Sequence, residues 1–162
     1  MMDTSDLLAL YDTQLRIEIE YPGLRREALP RLVRFIRPAP GMNFISYSRL
    51  EPAELEPVIR EQVAYFAPMG QPFSWHVYDH DSPPALAEHL KTNNFTTDED
   101  DPEAVMVLEL ETVPPALLKP VKEDIRPVGR DRLDDIVQVE TQVWGGDFGW
   151  LKERLGAHLE IP

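Results

Sequence analysis

Proline and glycine divide this chain into short segments, and this division constrains its fold more than any other feature. The 162 residues include 16 prolines and 8 glycines. Many of them lie at positions 22–23, 38–41, 68–70, 83–84 and 114–120. Proline has no N–H to donate within a helix or sheet, and glycine favours turns, so regular elements end near these positions. The chain must therefore fold from many short helices and strands.

Between these breaks the apolar residues follow two different periods. Helical spacing predicts helices over 7–19, 55–66, 83–92, 130–144 and 148–159. Alternation and β-branched or aromatic residues predict strands over 32–36, 43–48, 73–78, 104–110 and 124–128. The short link at 38–41 makes the first two strands antiparallel, because a parallel pair needs a longer crossover. This order predicts an α/β (α+β) fold, with a mixed sheet flanked by helices.

Residues 114–120 are the best candidate for a linker, because prolines 114, 115 and 120 interrupt any periodicity. The sequence thus predicts a first module over 1–113, a Pro-rich linker over 114–120 and a further segment over 121–162. That last segment holds one predicted strand and two helices, too little for a comfortable core of its own. We expect it to pack on the first module, or the natural chain to continue past Pro162.

Composition excludes several classes of function. The net charge of −13 argues against nucleic-acid binding, because phosphate neutralisation requires a cationic surface. No cysteine is present, which excludes disulfides, thiolate zinc sites and cysteine nucleophiles. No apolar run approaches the roughly 18 residues of a membrane span. The acidic start lacks the features of a signal peptide, so a cytoplasmic location is expected.

Local charge clusters have plain structural interpretations beside the functional ones. The segment 25–37 carries five arginines; it could receive an anion, but pairing with the acidic half of the chain, 79–111, is the favoured interpretation. His76, Asp79, His80 and Asp81 suggest a metal site, yet strand alternation does not bring His76 and Asp79 together, so no metal is predicted. The acidic run 98–103 lacks the spacing of an EF-hand and is expected to be a solvated loop.

A resemblance to a known family rests on the second half of the chain. The stretch 73–86 reads FSWHVYDHDSPPAL, and it is followed by Leu90, by Asn94-Phe95 and by VMVLEL over 105–110. This pattern resembles the degenerate N-terminal module of two-module GNAT (GCN5-related) N-acetyltransferases. Asn94 replaces the glycine usual before Phe95, and asparagine tolerates the left-handed conformation that such a turn needs. Residues 121–162 resemble the first strand and first two helices of the second module.

The resemblance implies acetyl transfer from acetyl-CoA to the amine of a small-molecule acceptor. It also implies a glycine-rich loop at a helix start, whose backbone N–H groups bind the pyrophosphate of acetyl-CoA. Neither 129–130 nor 145–149 has the required spacing, and the helix start at Pro83 has prolines without N–H groups. We therefore expect that this chain has no acetyl-CoA site and that the loop would follow Pro162 in a longer chain.

Three residues are candidates for chemistry near the acceptor. Glu140 falls on the apolar stripe of its helix, where partial desolvation raises the pKa of a carboxylate and suits it to act as a general base. The alternative is that Glu140 lies at the edge of the stripe and reaches water. Trp144 and Trp150 are candidates for lining an acceptor pocket or, alternatively, for core packing. The competing functions are a non-catalytic ligand-binding, partner-binding or regulatory module, and a scaffold that forms a homodimer.

Overall fold

The computed structural model describes residues 3–39, 41–97, 104–120, 122 and 125–160. Contacts within the chain divide it into a first unit, Met1–Pro102, and a second unit, Glu103–Pro162. We describe each unit by itself. The predicted acidic loop at 98–103 lies outside the described residues, as do Pro40 of the predicted turn and Asp124 of the last predicted strand.

The first unit contains three α-helices and four strands among its described residues. The helices are α1 (Thr4–Tyr11), which continues as a π-helix (Asp12–Ile17), α2 (Leu55–Phe66) and α3 (Leu86–Thr92). The strands are β1 (Arg25–Leu29), β2 (Leu32–Ile36), β3 (Asn43–Ser48) and β4 (Phe73–Trp75). Short 3₁₀ turns, Pro52–Glu54 and Ala67–Met69, flank α2.

The strands form one mixed sheet in the order β1-β2-β3-β4. β1, β2 and β3 pair antiparallel in sequence, whereas β4 pairs parallel to β3. This confirms the predicted α+β class with a mixed sheet and the antiparallel pairing across 38–41. β1 was not predicted, because its charged residues hide the alternation that marks a half-buried strand.

The core of the first unit lies between the sheet and the helices α2 and α3. Its buried members are Leu32, Ile45, Leu50, Leu55, Ile59, Phe66, Trp75, Leu86 and Leu90. The residues of α2 in this cluster recur at helical spacing, so one face of the helix is buried and the other is in water. The cluster fixes the position of β4, because Trp75 belongs to it.

The turn that ends α3 shows how one predicted residue positions another. Asn94 has a positive φ of 66°, as its predicted role in the turn requires. The N–H of Asn94 then donates to Lys91 O at 3.1 Å, and the N–H of Phe95 donates to Leu90 O at 3.1 Å. These two bonds form a Schellman motif, which closes the helix and turns Phe95 back onto the sheet.

The second unit is helical in its described part. It contains α4 (Leu133–Trp144) and α5 (Gly149–His158), with 3₁₀ turns at Leu110–Thr112, Pro115–Leu118 and Arg130–Arg132. Both α-helices agree with the sequence prediction, and Gly145 and Gly146, both with positive φ, separate them. The extent of the predicted modules and linker stays a prediction.

Two predicted strands are absent from the described residues. Residues 104–109 and 125–129 have no regular structure, so the predictions of strands at 104–110 and 124–128 are wrong for these parts. Val105, Met106 and Val107 are 52%, 93% and 61% exposed, respectively. An apolar segment with β-branched residues forms a strand only with a partner, and the described residues supply none to it.

Within the described ranges, no helix is both long and apolar enough to cross a lipid bilayer.

A candidate binding groove beside the fourth strand

The first unit has a groove of about 620 Å³ beside β4. Strand β4, helix α3 and the segment that follows α3 supply most of its walls. The lining residues are Met42, Val63, Pro72, Phe73, Ser74, Trp75, Val77, Ala87, Leu90, Lys91, Asn93, Asn94, Phe95, Thr96 and Thr97. This volume is within the range of roughly 300–1,000 Å³ that small-molecule sites occupy.

Aromatic rings form the base of the groove. Phe95 lies edge-on to Phe73, with ring centroids 5.2 Å apart, and edge-on to Trp75 at 6.4 Å. Phe73 in turn stacks on Phe66 of the core at 4.4 Å. The indole N–H of Trp75 donates to Ser48 Oγ at 3.0 Å. The base is therefore fixed by the core and presents apolar surface.

The polar groups of the groove are mostly neutral. The described residues that line it include no histidine, aspartate, glutamate, cysteine or tyrosine. Lys91 is their one charged side chain, and it pairs with Glu88 Oε1 at 3.2 Å. Ser74 also lines the groove, and its Oγ is the buried side-chain polar atom without a hydrogen-bond partner in the described chain. The groove thus offers apolar contact and neutral hydrogen bonds, but few groups for proton transfer.

A second polar cluster lies where the π-helix packs on the sheet. The guanidinium of Arg16 is 1% exposed and donates to both carboxylate oxygens of Asp81, at 2.7 and 2.8 Å. It also donates to Asp12 Oδ1 at 2.7 Å and, through Nε, to the backbone oxygen of Ser46 at 2.9 Å. Burial lowers the pKa of Arg16, but its hydrogen bonds to Asp81 and Asp12 outweigh this effect and raise that pKa above its ordinary value. The cluster holds a permanent cation inside a ring of acceptors.

Aromatic and imidazole groups cover this cluster. The Arg16 guanidinium lies 4.2 Å from the ring centre of Tyr78, whose hydroxyl is 2.8 Å from that of Tyr11. Burial and the Tyr11 hydroxyl raise the pKa of Tyr78, so its phenol stays neutral. His80 Nε2 lies 3.1 Å from Asp12 Oδ1. The sequence predicted none of these contacts. The four-residue spacing of Asp12 and Arg16 could have indicated their pair, whereas only tertiary structure brings Asp81 to them.

Among the four side chains considered for a metal site, both histidines and one of the two acids have other partners. Asp81 is bound to Arg16, and its Oδ2 also accepts from the N–H of Tyr78 at 3.0 Å. His76 stacks on Phe44, with ring centroids 5.1 Å apart. In the part of the chain that is described, no three histidine or acidic side chains are grouped as metal ligands.

The arginines of the segment 25–37 pair with acids of the same chain. Arg25 and Arg34 both pair with Glu27, and Arg31 pairs with Glu54. Both acids lie outside 79–111, so the predicted pairing with that acidic half is wrong for these three arginines.

The three predicted acceptor-site residues lie in the second unit, whereas the groove belongs to the first. Glu140 is half-buried on α4. Trp144, at the end of α4, is 72% exposed, and Trp150, on α5, is 48% exposed. Trp150 contacts Phe148 and Arg154, so it is neither a core residue nor a lining residue of the groove. The functional roles of the three residues stay predictions.

Comparison with protein-family models, with curated proteins and with solved structures finds no match to this chain.

Proposed function

We propose that this chain is a non-catalytic binding module and that the groove beside β4 is its ligand site. The observation that carries the proposal is the groove's composition. It has an aromatic base, neutral amides and hydroxyls, and no carboxylate or imidazole among the described lining residues. Such a surface suits binding of an apolar compound through area and a few oriented hydrogen bonds. It is poorly suited to acid–base or nucleophilic chemistry.

A groove-filling substitution tests this proposal. Ala87 lines the groove, so Ala87→Phe should occupy the space that a ligand needs. The probe is 1-naphthylacetamide, and the readout is amide chemical-shift change in ¹⁵N-labelled protein. We expect saturable shifts of the amides of Ser74, Leu90 and Phe95. Ala87→Phe should lower the affinity measured from these shifts at least tenfold.

The matched control is Ala64→Phe, which places the same ring on the exposed face of α2. It should leave binding unchanged. Saturable shifts that are unaffected by Ala87→Phe, or no saturable shifts at all, would contradict a ligand site in the groove.

A second candidate is that the chain is the N-terminal part of a GNAT-type N-acetyltransferase. The supporting observations are the mixed sheet and the left-handed Asn94 that turns Phe95 onto it. Under this proposal the enzyme transfers an acetyl group from acetyl-CoA to a small-molecule amine, and it is located in the cytoplasm. The present residues do not form a pyrophosphate site at the start of α2.

The start of α2 carries the wrong charge for a pyrophosphate. Glu51 and Glu54 form a capping box, in which the Glu51 N–H donates to Glu54 Oε2 at 2.9 Å. Carboxylates thus occupy the donors that an anion would need, and they repel it. We expect acetyl-CoA to produce no saturable heat in isothermal titration calorimetry. A saturable isotherm would show that the chain has an acetyl-CoA site after all.

A further inference from the structure

The outer edge of β4 presents backbone hydrogen-bonding groups to the groove. On the inner side, the N–H of Asn43 donates to Pro72 O at 3.1 Å, and the N–H of His76 donates to Ile45 O at 3.0 Å. Residues 72 and 76 therefore direct their backbone groups towards β3. Successive residues of a strand direct these groups to alternate edges, so Phe73 and Trp75 direct theirs away from β3.

Phe73 and Trp75 both line the groove, so their outward N–H and C=O groups face it. Within the described residues, β3 is the only strand paired with β4. Buried or half-buried backbone groups need partners, and here a ligand can supply them.

The two edges of the sheet differ in how they are protected. The edge strand β1 carries Arg25, Arg26 and Glu27, and charged side chains disfavour the addition of another strand. The edge strand β4 carries Phe73, Ser74 and Trp75 and no charge. The apolar edge is thus the one that lies in a groove with room for an added chain.

Charge restricts the kind of chain that fits. Aspartate and glutamate make up 29 of the 162 residues, yet none is among the described residues that line the groove. The one charged lining residue is the cation Lys91, with its Glu88 partner. Because Glu88 neutralises Lys91, the pair carries no net charge, which complements an uncharged ligand and disfavours a charged one.

We propose, building on the assignment of the groove as a ligand site, that its ligand is a short, extended, apolar peptide without charged side chains. The peptide adds to the outer edge of β4 as a further strand. Its backbone pairs with Phe73 and Trp75, and its apolar side chains pack on Phe95 and Leu90. At about 3.3 Å per residue, a peptide of about four residues spans this edge.

Backbone N-methylation of the peptide tests strand addition directly. The probe is acetyl-Thr-Val-Thr-Val-amide. Two isomers carry N-methyl groups either at residues 1 and 3 or at residues 2 and 4. Because amides of alternate residues point to opposite edges, one isomer blocks the edge that faces β4 and the other blocks the edge in water. Affinities are measured from amide shifts of ¹⁵N-labelled protein, with 1-naphthylacetamide as the reference ligand.

We expect the unmethylated peptide to bind. One methylated isomer should bind at least tenfold more weakly than the unmethylated peptide. The affinity of the other isomer should stay within about threefold of that of the unmethylated peptide. Equal losses in both isomers, or no loss in either, would overturn strand addition. So would failure of the peptide to bind where 1-naphthylacetamide does, although the groove would then remain a ligand site. If neither ligand binds, the assignment of the groove itself fails.

The alternative occupant is a second copy of the chain. Sedimentation velocity, at the protein concentration used to measure the chemical shifts, distinguishes a dimer from a monomer. A dimer that the peptide fails to dissociate would assign this edge to self-pairing and overturn the proposal. A monomer supports the proposal, and so does a dimer that the peptide dissociates.

Discussion

Glu27 shows how one carboxylate organises the charged surface of β1 and β2. It accepts from Arg34 Nε at 2.7 Å and from the hydroxyl of Tyr65 at 3.0 Å. Arg34 also donates to Gln62 at 2.7 Å and lies over the ring of Tyr65. Burial raises the pKa of Glu27, but the hydrogen bonds from Arg34 and Tyr65 outweigh it, so that pKa lies below its ordinary value. Ionised Glu27 therefore stabilises the folded chain.

The sign of this shift gives a pH prediction. A depressed pKa contributes stability above the ordinary value of 4.5, and that contribution is lost as the pH falls through the folded value. Glu27→Gln should lower the free energy of unfolding by about 1–2 kcal/mol at pH 7. In urea denaturation, the difference from the parent should shrink as the pH falls from 7 to below 4.

Glu20→Gln is the control, because Glu20 is exposed. It should change stability by less than about 0.5 kcal/mol at any of these pH values. A Glu27→Gln difference that stays constant with pH would show that ionisation of Glu27 is not the stabilising factor.

At the scale of elements, the N-terminal helical segment is attached to the sheet mainly by polar contacts. Among the described residues of α1 and the π-helix, Arg16 is the one buried residue. Leu8, Leu10 and Leu15 are all more than a third exposed. In return, Ser46 Oγ donates to the backbone oxygen of Arg16 at 2.7 Å. A buried arginine that hydrogen-bonds through all three of its side-chain nitrogens thus replaces the apolar stripe that normally fixes a helix.

Removal of one partner should loosen this attachment. Asp81→Asn leaves the buried Arg16 with a weaker set of acceptors, and breaking such a pair costs about 3–5 kcal/mol. Because Asp12 remains, we expect a loss near 3 kcal/mol in urea denaturation. Amide hydrogen exchange in 4–17 should also become faster.

Asp79→Asn tests whether the effect is specific. Asp79 is two residues away and exposed, and its substitution should be nearly neutral. Equal stability of the two variants would show that the Asp81 carboxylate does not fix the segment.

The elements that the sequence predicted well are those whose signals are local. Periodicity located α2 and α4, and the asparagine before Phe95 indicated the turn that ends α3. The strand at 104–110 was predicted wrongly in its described part, because apolar and β-branched residues report a tendency that only a partner strand realises. The groove was not predicted, since it arises where β4 has no outer partner among the described residues.

At the scale of the whole molecule, charge and apolar surface are distributed unevenly. The net charge is −13, but the groove lining contributes no acid among its described residues. In the second unit, Val139, Val143 and Trp144 expose more than half of their surface. The homodimer expected from the sequence stays a prediction, and nothing in the described contacts identifies what covers these side chains.

The π-helix has a consequence for how this sequence can vary in length. In the segment Asp12–Ile17 the hydrogen bonds reach one residue further than in an α-helix, as the bond from Glu18 N–H to Thr13 O at 2.8 Å shows. The segment therefore accommodates one residue more than regular coiling would. Deleting one residue there would restore regular α-helical coiling and leave the residues before it near their present orientation relative to Arg16. Inserting a further residue would instead rotate them by about 100°. Exposed positions such as Thr13 and Gln14 are therefore sites at which this sequence can lose one residue, whereas Arg16 must stay because it binds Asp81.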